Sequence, residues 1–240
     1  ANSGNPATGT NAIFSGITAG ETMAIAARPL NGTLNFNFGQ RPFTYTPPTG
    51  YKAWTLSSNN LIPRAKIYNP KKHFDVITYT GNGGTNRVTG LDFQPDWVWI
   101  KARIDSHHNT LHDSVRGPNK QLYSNLTNGE HSHTGFLTSF LYNGFTLGDN
   151  SSGTGSTNVN GRPYVAWCWK AGGAAVSNTN GNITSSVSVN EEAGFSIVSY
   201  TGNGSNGQTV GHGLTQAPQW IILKARDATQ NWRVWHHSLA

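Results

Sequence analysis

The chain has 240 residues, a formal net charge of +6 and a pI near 9.6. Charged residues are 12%, about half the usual share, while aromatics reach 11% with eight Trp, too many for a disordered chain. Basic residues are scattered apart from Arg64, Lys66, Lys71 and Lys72, and no run pairs Arg with aromatics on a groove-entering helix, so neither nucleic-acid binding nor membrane insertion is expected. No apolar run approaches the ~18 residues of a membrane span. The N-terminal Ala1-Asn2-Ser3-Gly4 has neither the basic nor the apolar region of a signal peptide. One cysteine, Cys168, allows no internal disulfide. β-branched and aromatic residues broken by Gly and Asn turns predict an all-β chain.

Residues 1–14, rich in Gly, Asn and Thr, predict a loop, and residues 21–27 a short strand. Residues 33–39 alternate apolar and polar, which predicts a half-buried strand. The run Asn37-Phe38-Gly39-Gln40-Arg41-Pro42-Phe43, then Tyr45, Pro47-Pro48 and Gly50-Tyr51, resembles the last strands of a SPRY domain, a bent β-sandwich found in structural proteins of marine phages. That resemblance implies that residues 1–62 are the C-terminal part of a SPRY-like sandwich. Residues 63–73 hold two Pro and the basic cluster and predict a linker.

From residue 74 the chain repeats itself. Residues 74–83 read Phe-Asp-Val-Ile-Thr-Tyr-Thr-Gly-Asn-Gly and residues 195–204 read Phe-Ser-Ile-Val-Ser-Tyr-Thr-Gly-Asn-Gly, with six of ten positions identical. Residues 90–103 and 213–226 share seven of fourteen, including Pro95/Pro218, Trp97/Trp220 and Lys101-Ala102-Arg103/Lys224-Ala225-Arg226. Phe74 and Phe195 lie 121 residues apart. That is far beyond a solenoid period of about 20–50 residues and is the length of a domain. Strands are predicted at residues 74–79, 97–103, 111–115 and 164–169, with a hairpin over 137–145 turning at Asn143-Gly144. Short strands with frequent turns predict a first β-sandwich over 74–173, a Ser/Thr/Asn-rich linker over 174–194, and the start of a second sandwich over 195–240. The expected architecture is tandem β-sandwich modules of jelly-roll or lectin-like type. The first and last would be incomplete, as in a piece of a longer polypeptide.

The two Tyr-Thr-Gly-Asn-Gly runs, the Pro-x-Trp-x-x-x-Lys-x-Arg pattern, Asp113-Ser114-Val115-Arg116-Gly117 and residues 165–173 together resemble a family of β-rich domains from tail-fibre-like proteins of marine and cyanobacterial phages. The resemblance implies a virion context and no particular reaction. Where the first copy has His112-Asp113-Ser114, the second is aligned as His236-His237-Ser238.

Few residues suggest chemistry. A glycosidase needs two converging carboxyls, and Glu130 with Asp149, or Glu191 with Glu192, are the candidates. Neither pair recurs in both copies. His112, Asp113 and Ser114 include triad residue types, but neighbours on a strand point to opposite faces. His131 and His133 would share one face of an extended segment. Around a threefold axis they could ligate a metal such as Zn, Fe or Ni, against the plainer expectation of a solvated loop and no metal or cofactor. Cys168, flanked by Trp167 and Trp169, is expected to be a buried inert thiol. Trp97/Trp99 and Trp167/Trp169 have period two and are expected to pack between sheets or domains. Trp97 and Trp220 are expected to be structural in both copies, and Trp232 and Trp235 are the candidates for an exposed ligand contact.

The expected function is therefore non-enzymatic: a structural component of a phage virion appendage, a tail fibre or similar, serving particle architecture and host-surface attachment. Its expected partners are other virion proteins, two further copies in a homotrimer, and host surface glycans. The alternatives are a carbohydrate-binding module of a secreted bacterial protein and a glycan depolymerase.

Overall fold

The computed structural model describes residues 67, 69–149 and 156–239. Residues 1–62, expected to be SPRY-like, and residues 63–66 and 68 of the expected linker lie outside the described residues. Residues Ile67–Ala240 belong to one compact unit.

The alternation of the first copy builds its sandwich. Strands β1 (Phe74–Thr80), β2 (Asn86–Thr89) and β3 (Trp97–Ala102) are followed by β4 (Thr110–Asp113), β5 (Lys120–Tyr123) and β6 (His131–Ser132). Then come β7 (Leu137–Leu141), β8 (Gly144–Leu147) and β9 (Pro163–Trp169). The last of these inserts between the first and third, giving a six-stranded sheet in the order β1-β9-β3-β4-β5-β6. β2, β8 and β7 form a second, three-stranded sheet, and every strand pairing is antiparallel.

The core lies between these two sheets. Val98, Ile100, Tyr164, Ala166 and Cys168 come from the large sheet, and Val88, Leu137, Phe145 and Leu147 from the small one. Phe145, Leu137 and Leu147 are fully buried. Removing such side chains from water contributes about 1.5–3 kcal/mol each. Along β3 and β9 every second residue faces this core and the residues between face out. That alternation decides the tryptophans. Because the inward places are held by Val98, Ile100, Ala166 and Cys168, the four indoles of Trp97, Trp99, Trp167 and Trp169 turn to the outer face of the large sheet and not into the space between the sheets.

The β7–β8 hairpin forms as expected, but its turn is Tyr142-Asn143, one residue early. Gly144 instead opens β8, where its α-carbon lies against the Val88 carbonyl and a Cβ would collide with it. β4 stops at Asp113 because its carboxylate accepts the Arg116 amide (2.8 Å) and its carbonyl accepts the Gly117 amide (3.1 Å), which turns the chain.

The second copy contributes β12 (Phe195–Tyr200), β13 (Trp220–Leu223) and β14 (Arg233–His236), the counterparts of β1, β3 and β4. Residues 174–194, expected to be a linker, instead carry β10 (Val176–Asn178) and β11 (Ser185–Asn190), which form a three-stranded sheet with β12. The apolar residues of β11 are Val187 and Val189, in a Ser-rich strand whose short hydroxyl side chains mask the pattern. Val187 is buried, and Ser185 and Ser188 close hydrogen bonds to Gly211 and Gly173. β13 and β14 form a separate hairpin.

The repeat extends to details. Lys101 donates to the carbonyls of Ala102 and Asp105, and Lys224 to those of Ala225 and Ala228, so the shared lysine ties the loop after its strand in both copies. The Ser114 amide donates to Asp96 and the His237 amide to Gln219. Asp113 faces Trp97 as His236 faces Trp220. The structural register thus matches Asp113 with His236 and Ser114 with His237, one residue off the alignment by eye, because two adjacent histidines made either pairing plausible.

Candidate functional site

The outer face of the large sheet is aromatic by register. Phe74 lies opposite Trp169, and Trp169 opposite Trp97. The ring centroids are 4.8 Å apart in both contacts. One step along, Trp167 meets Trp99 edge-on at 6.1 Å. Phe195, the first residue of β12, stacks nearly parallel on Trp97 at 5.8 Å. Part of the indole row is therefore contact between the two copies, and its end at Phe74 and Trp169 stays accessible.

At that end a cleft of about 240 Å³ is lined by Phe74, Trp169 and Phe195, together with Ile67, Pro70 and His73. Phe74 is 38% exposed. The 3-10 turn Pro70–Lys72, whose first residue supplies the fixed φ of proline, delivers His73 to the rim. The Asn190 amide donates to His73 Nδ1 (2.8 Å), which leaves the proton on Nε2, directed at Glu192 Oε1 3.6 Å away. Aromatic faces with a few polar groups at one edge suit the stacking of a flat, partly apolar ring, with the exposed Glu192 carboxylate nearby to accept from hydroxyls.

The groups that could act chemically are held quiet. His112 is buried; its Nδ1 lies 2.9 Å from the Lys120 carbonyl, which places the proton there. Burial, reinforced by the nearby Arg116 charge, pushes its pKa down to about 3, so the ring is neutral at any ordinary pH. Its neighbour Asp113 points to the other face and is paired with Arg116. No His–Asp–Ser relay forms. Burial pushes the Cys168 thiol up to about 12, with the Asp75 charge adding to it. Glu130 sits at the centre of an ion-pair cluster: Arg116 at 3.2 Å, Arg226 at 3.0 Å and Lys120 at 3.9 Å. Burial alone would raise its pKa, but the Arg226 hydrogen bond and the two guanidinium charges outweigh this and hold the carboxyl below its ordinary value. A carboxylate held ionised in this way cannot serve as a general acid. Asp149, Glu191 and Glu192 are exposed.

The cluster also joins the copies. Arg226, from the loop after β13, reaches Glu130 with Nε at 3.1 Å and Nη2 at 3.0 Å, a two-pronged contact. Trp232, expected to be an exposed contact residue, is half-buried; its indole N–H points between the carbonyls of Tyr123 (2.9 Å) and Leu126 (3.1 Å) of the first copy. Trp235 is 46% exposed, and so is Trp220 at 59%, although its counterpart Trp97 is largely covered. His131 and His133 are both exposed but rest on different aromatics, Tyr123 and Phe136. Among the described residues no three His, Cys, Asp or Glu side chains gather to hold a metal, and no helix is long and apolar enough to cross a membrane.

Sequence reasoning passed over the cleft. Its signal was present: Phe74 and Phe195 occupy the same place in both copies, and each opens a strand. What could not be read was that Phe195 crosses to stack on the other copy.

Fold and surface together define an antiparallel, all-β sandwich protein with an aromatic outer face. Residues 69–240 match the family described as a domain of unknown function, DUF7483, and the chain belongs to that family. The match spans both copies of the repeat. No curated protein and no solved structure matches the chain.

Proposed function

We propose that this chain is a structural, non-enzymatic component of a virion appendage, a tail fibre or similar fibre. There it serves particle architecture and attachment to host surfaces. The observation that carries the proposal is the contrast in the site. The side chains with catalytic potential, His112, Cys168 and Glu130, are held inert, while the aromatic groups suited to adhesion reach the surface. The bidentate Arg226–Glu130 contact and the Trp232 indole support the same reading, because they fasten successive copies to each other. The sequence resemblance to tail-fibre-like proteins supports a position in the particle, with other virion proteins as the proposed neighbours and a homotrimer as the proposed assembly. The cleft at Phe74 and Trp169 is the contact for host surface glycans.

Reconstruction of the native particle tests this. Threefold appendage density that accommodates residues 67–240 supports the proposal. A free monomer that binds a glycan array through the cleft and is absent from particles sinks it, and moves the assignment to a carbohydrate-binding module of a secreted protein.

A further inference from the structure

The polar edge of the cleft at Phe74 and Trp169 has its hydrogen-bonding sense fixed by the main chain. Asn190, the last residue of β11, lies between three partners. Its Oδ1 accepts the Ala193 amide at 3.1 Å, and its Nδ2 donates to the Lys170 carbonyl at 3.1 Å. Neither partner can exchange its role, since a main-chain N–H only donates and a carbonyl only accepts. The side-chain amide is therefore held in one orientation, with its second N–H directed at His73 Nδ1 2.8 Å away. Nδ1 must accept, so the ring proton sits on Nε2. The imidazole is anchored as well: the His73 amide donates to the Pro70 carbonyl and its own carbonyl accepts the Lys170 amide at 2.8 Å.

Nε2 and Glu192 Oε1 lie 3.6 Å apart, too far for a hydrogen bond between them. The His73 side chain is only 11% exposed, while that of Glu192 is 54% exposed. A fixed donor and a carboxylate acceptor thus stand side by side at the edge of an aromatic cleft. A hydroxyl satisfies both with one oxygen, accepting from Nε2–H and donating to Glu192. A carboxylate only accepts and is repelled by Glu192. Lys71, Lys72 and Lys170 are exposed and do not line the cleft. Its volume of about 240 Å³ lies below the range of about 300–1,000 Å³ typical for drug-sized ligands, so it takes a single ring.

We infer that the cleft selects neutral sugar rings over acidic ones. One uncharged pyranose packs its apolar face on the aromatic rings and places a hydroxyl between His73 Nε2 and Glu192 Oε1. Asn190 is the positioning residue that keeps the imidazole a donor. The inference rests on the cleft being a glycan contact and adds which glycans it accepts. Because the ligand is one ring wide, an acid group anywhere on it lies close to Glu192 and pays for that in affinity, although the chain as a whole carries a net charge of +6.

Two measurements on the whole 240-residue chain test this. The first needs no sugar: the ring nitrogen chemical shifts of neutral His73 should show a protonated Nε2 and a bare Nδ1. In Asn190→Ala the form protonated on Nδ1 should appear. If that variant does not fold, the natural chain and Glu192→Gln still decide the matter. The second titrates matched methyl glycosides, each neutral hexose against the uronic acid of the same configuration, followed at the Trp169 indole and the Phe195 amide. The neutral member of a pair should bind at least about fivefold more tightly. Glu192→Gln, at an exposed position, keeps an acceptor and removes the charge, and should narrow the preference to less than about twofold. A proton found on Nδ1 in the natural chain, a uronic acid bound as tightly as its neutral partner, or a preference unchanged in Glu192→Gln each overturns the inference while leaving a glycan contact standing. If no glycoside moves the Trp169 and Phe195 signals, the glycan contact itself fails and the inference falls with it.

Discussion

Protonation of His112 gives the most direct test of the packing beneath β4. The ring is buried against Phe136 and its Nδ1–H is committed to the Lys120 carbonyl. Burial and Arg116 hold its folded pKa at about 3, against an unfolded value of 6.5. Between those values the unfolded chain binds a proton that the folded chain refuses, so stability rises with pH across the window and is lost as the pH falls through it. One such group contributes at most about 1.36 kcal/mol per pH unit. From pH 6.5 to 4.5 it should destabilise the protein by about 2.3 kcal/mol, a little under the maximal slope because the unfolded imidazole is already half protonated at pH 6.5. That is a large part of a typical stability of about 5–15 kcal/mol. Urea unfolding at a series of pH values measures it. His112→Asn keeps an N–H for the Lys120 carbonyl and removes the titration, so its curve should be flatter than that of the natural chain by this amount, whatever its absolute stability. Parallel curves for the two proteins would falsify the assignment of a buried neutral imidazole.

Three further outcomes are expected. Asn158, fully buried, holds the Asn82 amide through its oxygen and the carbonyls of Gly84 and Gly148 through its nitrogen; Asn158→Ala should cost about 2–4 kcal/mol in urea unfolding, since it strands buried backbone groups. Glu130→Gln and Arg226→Ala should show a coupling of about 1 kcal/mol in a double-mutant cycle, reduced in high salt, because Arg226 is partly exposed. The Glu130 contribution should be present above about pH 4.5 and vanish as acid protonates a carboxyl whose folded pKa lies below its ordinary value. Cys168 should resist thiol reagents in the folded protein at pH 8 and react once urea unfolds it, its thiol being buried and pushed up to about 12; rapid labelling without denaturant would contradict the β9 packing.

The match of Phe74-to-Gly83 with Phe195-to-Gly204 was enough, with period-two alternation, to indicate a duplicated β unit, its principal strands and the inert setting of Cys168. Those are local properties: alternation is a consequence of strand geometry, and a repeat needs no coordinates to be seen. The strand order was not local. β9 enters between β1 and β3 from far along the chain, and only that insertion puts Trp169 beside both Phe74 and Trp97 and sends the indoles outward. β10 and β11 were hidden for a similar reason. Their Ser-rich strands hold few apolar residues, and pairing with β12 rather than propensity makes them strands. Trp232 and Trp220 exchanged their expected places because exposure depends on what faces a residue. The first finds two carbonyls of the other copy, and the second is not covered among the described residues as Trp97 is by Trp99, Trp169 and Phe195. Sequence by itself determined that two like units exist; tertiary structure alone decided that β9 closes the first by entering between β1 and β3, since that pairing joins residues far apart along the chain.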